Sequence, residues 1–456
     1  MTEAGAAEVD AAVGNARAAL AGPWGQLSAP ARADALRAVA DGIRARFDEF
    51  VEAEMLDTGQ PRHVMEKAFV PRGAANFEFF ADLTKNVPTE SFETVGPHGE
   101  RALNYAVRRP KGVIGVICPW NAPFLLMTWK VAPALACGNA VVVKPSEQTP
   151  RTATLLVEVI DKAFADIGVP GGVYNVVHGF GPGSAGEALT THPDVDAITF
   201  TGETVTGTAI MKAAAEGVRD VSFELGGKNA AVVFADADLD DAVDGVFRSG
   251  FLNTGQVCLG TERVFVERPV FEEFRDRLVA RCEAVRYGRP TDPETTYGPL
   301  ISHEHRDKVL GYYRAAVEAG ATVVTGGGVP DLPIELAGGA WVEPTIWTDA
   351  PDDASILHEE IFGPCVHLTP FDDEAAVIDA VNATPYGLAT SVWTTDLSTA
   401  HRVAGAIDVG IAWINSWFLR DLRTPFGGAG QSGIGREGGV HGLEFYTETK
   451  NVCVQL

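Results

Sequence analysis

From Gly112 onward, short apolar runs of strand length alternate with stretches of helical period. GVIGVI, AVVVK at 140–144, GVYNVV at 172–177 and AITF at 197–200 are nearly continuous in apolar character. Such runs suit strands buried on both faces. Between them lie segments such as TATLLVEVIDKAFADIG, with apolar residues at helical spacing. The alternation predicts a doubly wound parallel sheet that takes ligands beyond its strand C-termini. A second series follows Glu224: NAAVVF, TERVFVE, ATVVTGG, WVEPTIW, PCVHLTPF, TSVWTT and GIAWIN. It predicts a second α/β domain. Before Gly112 the pattern is helical. Residues 33–50 read as one amphipathic helix, and Thr58-Gly59-Gln60-Pro61 as a stop and a new start. Residues 87–105 are polar, with Gly and Pro, and form an excursion from the main body. The tail EFYTETKNVCVQL ends in an alternating strand.

At 456 residues the chain is too long for one simple core, and two or three domains are expected. A formal net charge of -25 repels phosphate, which argues against nucleic acid and anionic membranes as partners. No apolar run reaches membrane-spanning length. The acidic, alanine-rich N-terminus lacks the basic region and apolar run of a signal peptide. Six scattered cysteines without a CxxC pair read as reduced cytoplasmic thiols, with no disulfide frame and no metal site.

Chemistry concentrates in two glycine-rich segments. Glu224 sits in FELGGKN and Cys258 in NTGQVC. A thiolate is a strong nucleophile near neutral pH, and a carboxylate in a partly dry site can activate water. Together they suit acyl chemistry through a thioester. Taken alone, a buried structural cysteine and a solvated glutamate fit about as well. Asn121, in CPWNAP after the GVIGVI strand, can point an amide at a developing oxyanion, and the Cys258 backbone N–H is the second candidate donor. Two glycine patterns compete for a nucleotide: Gly181-Pro182-Gly183-Ser184-Ala185-Gly186, and Phe200-Thr201-Gly202-Glu203-Thr204-Val205-Thr206-Gly207. Lys144 and Glu147 end a strand together. The first can reach a ribose hydroxyl or phosphate, and the second accepts from a ribose 2′-OH, which favours NAD over NADP.

PWNAP (119–123), KPSE (144–147), FTGETVTG (200–207), FELGGKN (223–229), NTGQVCLGTER (253–263), EEIFGP (359–364), PYGLA (385–389) and PFGGAGQSGIGREGG (425–439) together resemble the aldehyde dehydrogenase superfamily. The resemblance implies an α/β fold with a Rossmann-type cofactor domain, an α/β catalytic domain and a small β oligomerisation flap. The expected boundaries are 1–86 and 106–225 for the NAD-binding domain and 226–440 for the catalytic domain. Segments 87–105 and 441–456 would be the bridging β elements. By the same resemblance, Cys258 is the nucleophile, Glu224 the general base and Asn121 the oxyanion donor. NAD would be held by Ile117, Pro119, Trp120, Lys144, Ser146, Glu147, Phe200, Thr201, Gly202, Thr204, Leu225, Gly226, Glu360 and Phe362. A homodimer or homotetramer is implied. Two departures stand out. Glu203 replaces the family's usual serine and is expected to turn away from the pyrophosphate. The sequence also starts after the hairpin that usually precedes the family's first helix.

FTGET and the stretch Asn415-Ser416-Trp417-Phe418-Leu419-Arg420-Asp421-Leu422-Arg423-Thr424-Pro425-Phe426 resemble the branch acting on 2-hydroxymuconate and 2-aminomuconate semialdehydes. Such substrates carry a carboxylate, which arginine matches with a two-pronged contact. Arg72 and Arg420 are the expected carboxylate ligands, with Arg423 the alternative to Arg420. Trp417, Phe418 and Phe426 are the expected pocket walls. Against this stand succinate-semialdehyde or betaine-aldehyde oxidation, and a thiol acyl hydrolase without a redox cofactor.

Overall fold

Two faces of one buried strand set the architecture of the first half. The computed structural model describes residues 2–456. In the strand Val113–Ile117 every residue is buried. Ile114 and Val116 enter one apolar cluster with Leu36, Phe77, Val131 and Leu156. Val113 and Ile117 enter another with Val9, Leu189 and Ile210. The period-two alternation of a strand therefore feeds a helical layer on each face. The sheet runs, in order, Tyr174–Val176, Ala140–Lys144, Val113–Ile117, Ala197–Thr201, Asp220–Glu224 and Gly433–Ile434. The first five strands are parallel, and the last is antiparallel to its neighbour. The chain builds outward one way from Val113–Ile117 and then resumes on the other side at Ala197–Thr201. That reversal leaves a crevice beyond the strand ends.

The second half carries a seven-stranded sheet, ordered Thr322–Thr325, Thr345–Thr348, Cys365–Phe371, Thr261–Glu267, Asn229–Val233, Ala389–Trp393 and Ile411–Ile414. All pairings are parallel except the first. The excursion and the tail meet in a third sheet, in which Arg101–Pro110 lies between Ser91–Val95 and Thr447–Gln455. This antiparallel sheet leaves Phe92 and Val95 61% and 69% exposed.

The helix expected over 33–50 is two helices, Ala29–Ala45 and Phe47–Thr58, broken at Arg46. Arg46 leaves helical geometry with ψ 27° and ties the break with ion pairs to Glu49 and Glu158, both at 2.7 Å. Gly433–Ile434 comes from the segment assigned to the second domain, yet it extends the first sheet, with Gly433 opposite Glu224.

Candidate active site

A cleft of about 560 Å³ opens where the ends of the first sheet face the second domain. Cys258, Glu224 and Asn121 all line it. So do Ile117, Pro119, Trp120, Lys144, Ser146, Glu147, Phe200, Thr201, Gly202, Leu225, Gly226, Glu360 and Phe362.

Cys258 is delivered by an unusual turn. The helix Leu239–Phe251 ends, and Asn253, Thr254 and Gly255 follow with φ of 53°, 57° and 71°. Two non-glycine residues in the left-handed region are a local strain that surrounding contacts must hold. Asn253 Nδ2 donates to Asn121 O at 2.8 Å, and Asn121 Nδ2 donates to Gln256 O at 3.0 Å. The nucleophile turn and the asparagine turn are thus laced together across the domain boundary. Asn121 spends one amide hydrogen on this lacing, and its side-chain amide carries a second. At Gly255 any side chain would collide with the backbone of Gly363.

Glu224 is buried, and neither carboxylate oxygen has a partner. Burial first, then the nearby Glu437, raises its pKa well above the ordinary value, while Lys130, Arg420 and Arg436 oppose the rise. Lys130 and Glu437 form a buried pair at 2.5 Å behind it. The half-buried Cys258 thiol is pushed up to about 12, by burial and then by Glu224 and Glu360. Glu360 accepts from Gly227 N–H at 2.9 Å. Burial and the neighbouring Glu262 raise its pKa to about 8. Sequence reasoning missed the pair that holds this segment. Lys228 and Glu262 form a fully buried salt bridge. Glu262 also accepts the N–H groups of Ile361 at 3.1 Å and Phe362 at 2.9 Å. This fixes Phe362 at φ 59°. The available signal was a charge inside each of two apolar strand runs, GGKNAAVV and TERVFV.

The remaining walls suit a dinucleotide. Lys144 is buried, lies 3.5 Å from Glu147, and has its pKa lowered by burial and partly restored by that carboxylate. The two glycine patterns do not exclude each other: Gly181 and Gly186 line the cleft, and so do Gly202, Thr206, Ala209, Ile210 and Ala213. Thr206, Ala209, Ile210 and Ala213 follow one stripe of the helix Thr204–Glu216. Thr204, expected among the cofactor ligands, is not in that stripe. Its hydroxyl donates to Gln431 O at 3.4 Å, and Thr206 faces the cleft instead. Glu203 lines the cleft and pairs there with Lys308 of the second half at 3.4 Å. His305, also missed, donates from Nε2 to Phe362 O at 2.8 Å, and its ring meets Trp120 edge-on at 5.1 Å. Accepting there would need an acceptor to face an acceptor, so its Nε2 carries the proton. Burial lowers its pKa to about 4, which keeps it neutral. Thr201 lines the cleft, and its buried Oγ1 has no partner.

Arg72 and Arg420, which are not among the residues lining the cleft, meet at one tryptophan ring. The Arg420 guanidinium carbon lies 4.3 Å from the Trp129 ring centre and 3.9 Å from that of Phe426. Its Nε and Nη2 are buried without a partner. Burial, then Arg72, lowers its pKa to about 9. Arg72 reaches the same Trp129 ring from the helix Val70–Leu83, at 5.9 Å. Arg423 does not compete. It points outward, 77% exposed, and pairs with Asp421 at 2.7 Å. Phe426 is the floor beneath Arg420. Trp417 is 4% exposed and donates to Leu259 O at 3.0 Å, so it braces the Cys258 loop from the core behind it. Phe418 stacks on Trp417 at 5.3 Å with φ 62°.

The model of the Aldehyde dehydrogenase family matches residues 1–452. The 2-hydroxymuconic semialdehyde dehydrogenase of Pseudomonas sp. (strain CF600) is 67% identical over all of this chain and 93% of its own length. The 2-aminomuconic 6-semialdehyde dehydrogenase of a Pseudomonas sp. is 58% identical over 98% of this chain and 90% of its own. The NAD+ complex of an aldehyde dehydrogenase from Bacillus cereus is 40% identical and superposes with TM-score 0.93, covering 100% of this chain and 90% of that one.

Proposed function

The chain belongs to the aldehyde dehydrogenase family, and we propose that it oxidises a carboxylate-bearing, unsaturated semialdehyde of the 2-hydroxymuconate or 2-aminomuconate 6-semialdehyde kind to the acid, with NAD as cofactor. The observation that carries the substrate reading is the buried Arg420 guanidinium with two unpartnered donors beside Cys258 and Glu224. A buried cation without an anion is costly unless a ligand supplies one. A carboxylate does so with paired, charge-assisted hydrogen bonds. A cationic substrate of the betaine-aldehyde type would meet repulsion there.

Lys144, Ser146 and Glu147 would hold the adenine ribose of NAD, and Glu360, Phe362 and Trp120 its nicotinamide half. When bound, NAD supplies the hydride acceptor, and its positive ring favours the thiolate form of the nucleophile. Cys258 Sγ adds to the aldehyde carbon, and the carbonyl oxygen takes the negative charge toward the Asn121 amide. Loss of hydride from that carbon leaves a thioester on Cys258. Glu224 takes a proton from water, the hydroxide adds to the thioester carbon, and the carbon–sulfur bond breaks with the thiolate leaving. The carboxyl of Arg420's ligand stays at the far end, orienting the chain of the substrate.

Free thiols at all six cysteines support a cytoplasmic setting, and the exposed three-stranded sheet supports a homodimer or homotetramer built through it. The decisive experiment compares KM for two aldehydes in Arg420→Ala. A carboxylated semialdehyde should lose about 10- to 100-fold, the worth of a charge-assisted hydrogen bond. A neutral aldehyde should be unaffected. An equal effect on both overturns the substrate reading.

A further inference from the structure

One short segment of the N-terminal helical region touches both turns that frame the reacting carbon. The helix Phe47–Thr58 ends at Gly59, whose φ is 69° and whose position a side chain could not fill without meeting Pro299. Just inside that end lies Glu54, fully buried. Glu54 Oε1 accepts Phe124 N–H at 3.1 Å and the Thr152 hydroxyl at 3.0 Å. Phe124 is in the first turn of the helix Pro123–Ala136, directly after the Asn121 turn. Just beyond the end lies Gln60, 3% exposed. Gln60 Nε2 donates to Thr254 Oγ1 at 3.3 Å and to Pro299 O at 2.8 Å. Thr254 is one of the two strained left-handed residues that present Cys258, and its hydroxyl donates onward to Gly298 O at 2.9 Å.

The two ends of the segment are joined to each other as well. Thr58 Oγ1 donates to Glu54 O at 2.7 Å and accepts Gln60 N–H at 3.3 Å. The segment is a rigid strut with one buried acceptor at the asparagine turn and one buried donor at the cysteine turn. Nothing in the chemistry of the thioester uses either side chain directly. Burial raises the Glu54 carboxyl to about 8, against the opposing hydrogen bonds from Thr152 and Phe124.

We propose that Glu54 and Gln60 are positioning residues for the oxidation, fixing the Asn121 amide and the Cys258 turn at the separation that an oxyanion requires. This rests on the reading of Cys258 as nucleophile and Asn121 as oxyanion donor. A shift of about 1 Å in such a geometry costs roughly 100-fold in rate.

The test uses the full-length protein and two pairs of variants. Glu54→Leu removes the acceptor at similar volume, and Glu54→Gln keeps it. Gln60→Leu and Thr254→Val remove opposite ends of the second contact. Single-turnover NADH release should fall about 10- to 100-fold in Glu54→Leu and Gln60→Leu and recover in Glu54→Gln. NAD affinity by titration calorimetry should stay unchanged. Alkylation of Cys258 by iodoacetamide needs no oxyanion hole, and its rate should also be unchanged. Gln60→Leu and Thr254→Val should be non-additive when combined, even if Glu54→Leu folds poorly. NADH release and alkylation slowing together, or the pair behaving additively, overturns the proposal. Cys258→Ala with normal turnover would instead overturn the reading beneath it.

Discussion

The guanidinium carbon of Arg420 lies over Phe426, 3.9 Å from its ring centre, while two of its donors have no acceptor. A planar cation between two aromatic rings can present a fork of donors in one direction only. An ammonium on a flexible stem cannot do this. Arg420→Lys should therefore fail to rescue the carboxylated substrate, leaving KM within about threefold of Arg420→Ala, because both lose the paired contact. Steady-state kinetics on matched carboxylated and neutral aldehydes check this.

Splitting the reaction at the thioester separates the two central residues. Cys258→Ala should abolish turnover and leave NAD binding intact. Glu224→Gln should release about one equivalent of NADH per site and then stall, since the thioester forms but water is not activated. Rapid mixing at 340 nm reads both. Continued turnover of Glu224→Gln at the normal rate would remove its role as base.

The acidity of Glu224 fixes the direction of the pH profile. Burial and Glu437 hold its carboxyl protonated above the ordinary range. Its base form therefore accumulates as pH rises through the folded pKa, and thioester hydrolysis should accelerate over that interval. The first NADH burst should show a different profile, because Cys258 governs it. Stopped-flow measurements across pH distinguish the two.

Stability should respond to pH with the opposite sign from an ion-paired acid. Glu54 is raised from 4.5 to about 8 in the folded chain. Between those values the folded state binds the proton that the unfolded state has released, so stability is full below 4.5 and is lost as pH rises toward 8. Glu54→Gln should flatten this slope in denaturant melts taken at several pH values. An unchanged slope would assign the effect to other groups.

Gly255→Ala probes the Cys258 turn without removing a hydrogen-bonding side chain. The residue combines a φ of 71° with backbone of Gly363 against the missing Cβ. Strain of about 1–3 kcal/mol is expected in denaturation. Displacement of Cys258 should lower single-turnover rates by about 100-fold.

Long apolar runs made the two sheets legible, because a strand buried on both faces leaves few polar interruptions to misread. Cys258 and Glu224 were visible as candidate chemistry in glycine-rich segments, and Asn121 in the CPWNAP turn after a buried strand. What stayed hidden depends on how elements cross. His305 and Lys308 belong to a helix remote in sequence from every recognised segment, and only docking of the second domain brings them to the cleft. Thr204 and Thr206 differ by two positions on one helix, so its rotation about its own axis decides which faces the groove. Trp417 reads equally as wall or core until its N–H finds Leu259. The strand Gly433–Ile434 is two residues long and carries no periodicity at all.

That last strand limits how modular the protein can be. It closes the edge of the first sheet beside Glu224, although its residues come from far down the chain. Excising the first half as a free-standing dinucleotide-binding unit would strip the carboxylate's flank and expose a raw sheet edge. Swapping cofactor halves between relatives would need two crossovers, one after Glu224 and one around Gly433, for the transplanted half to bring its own lining to the base.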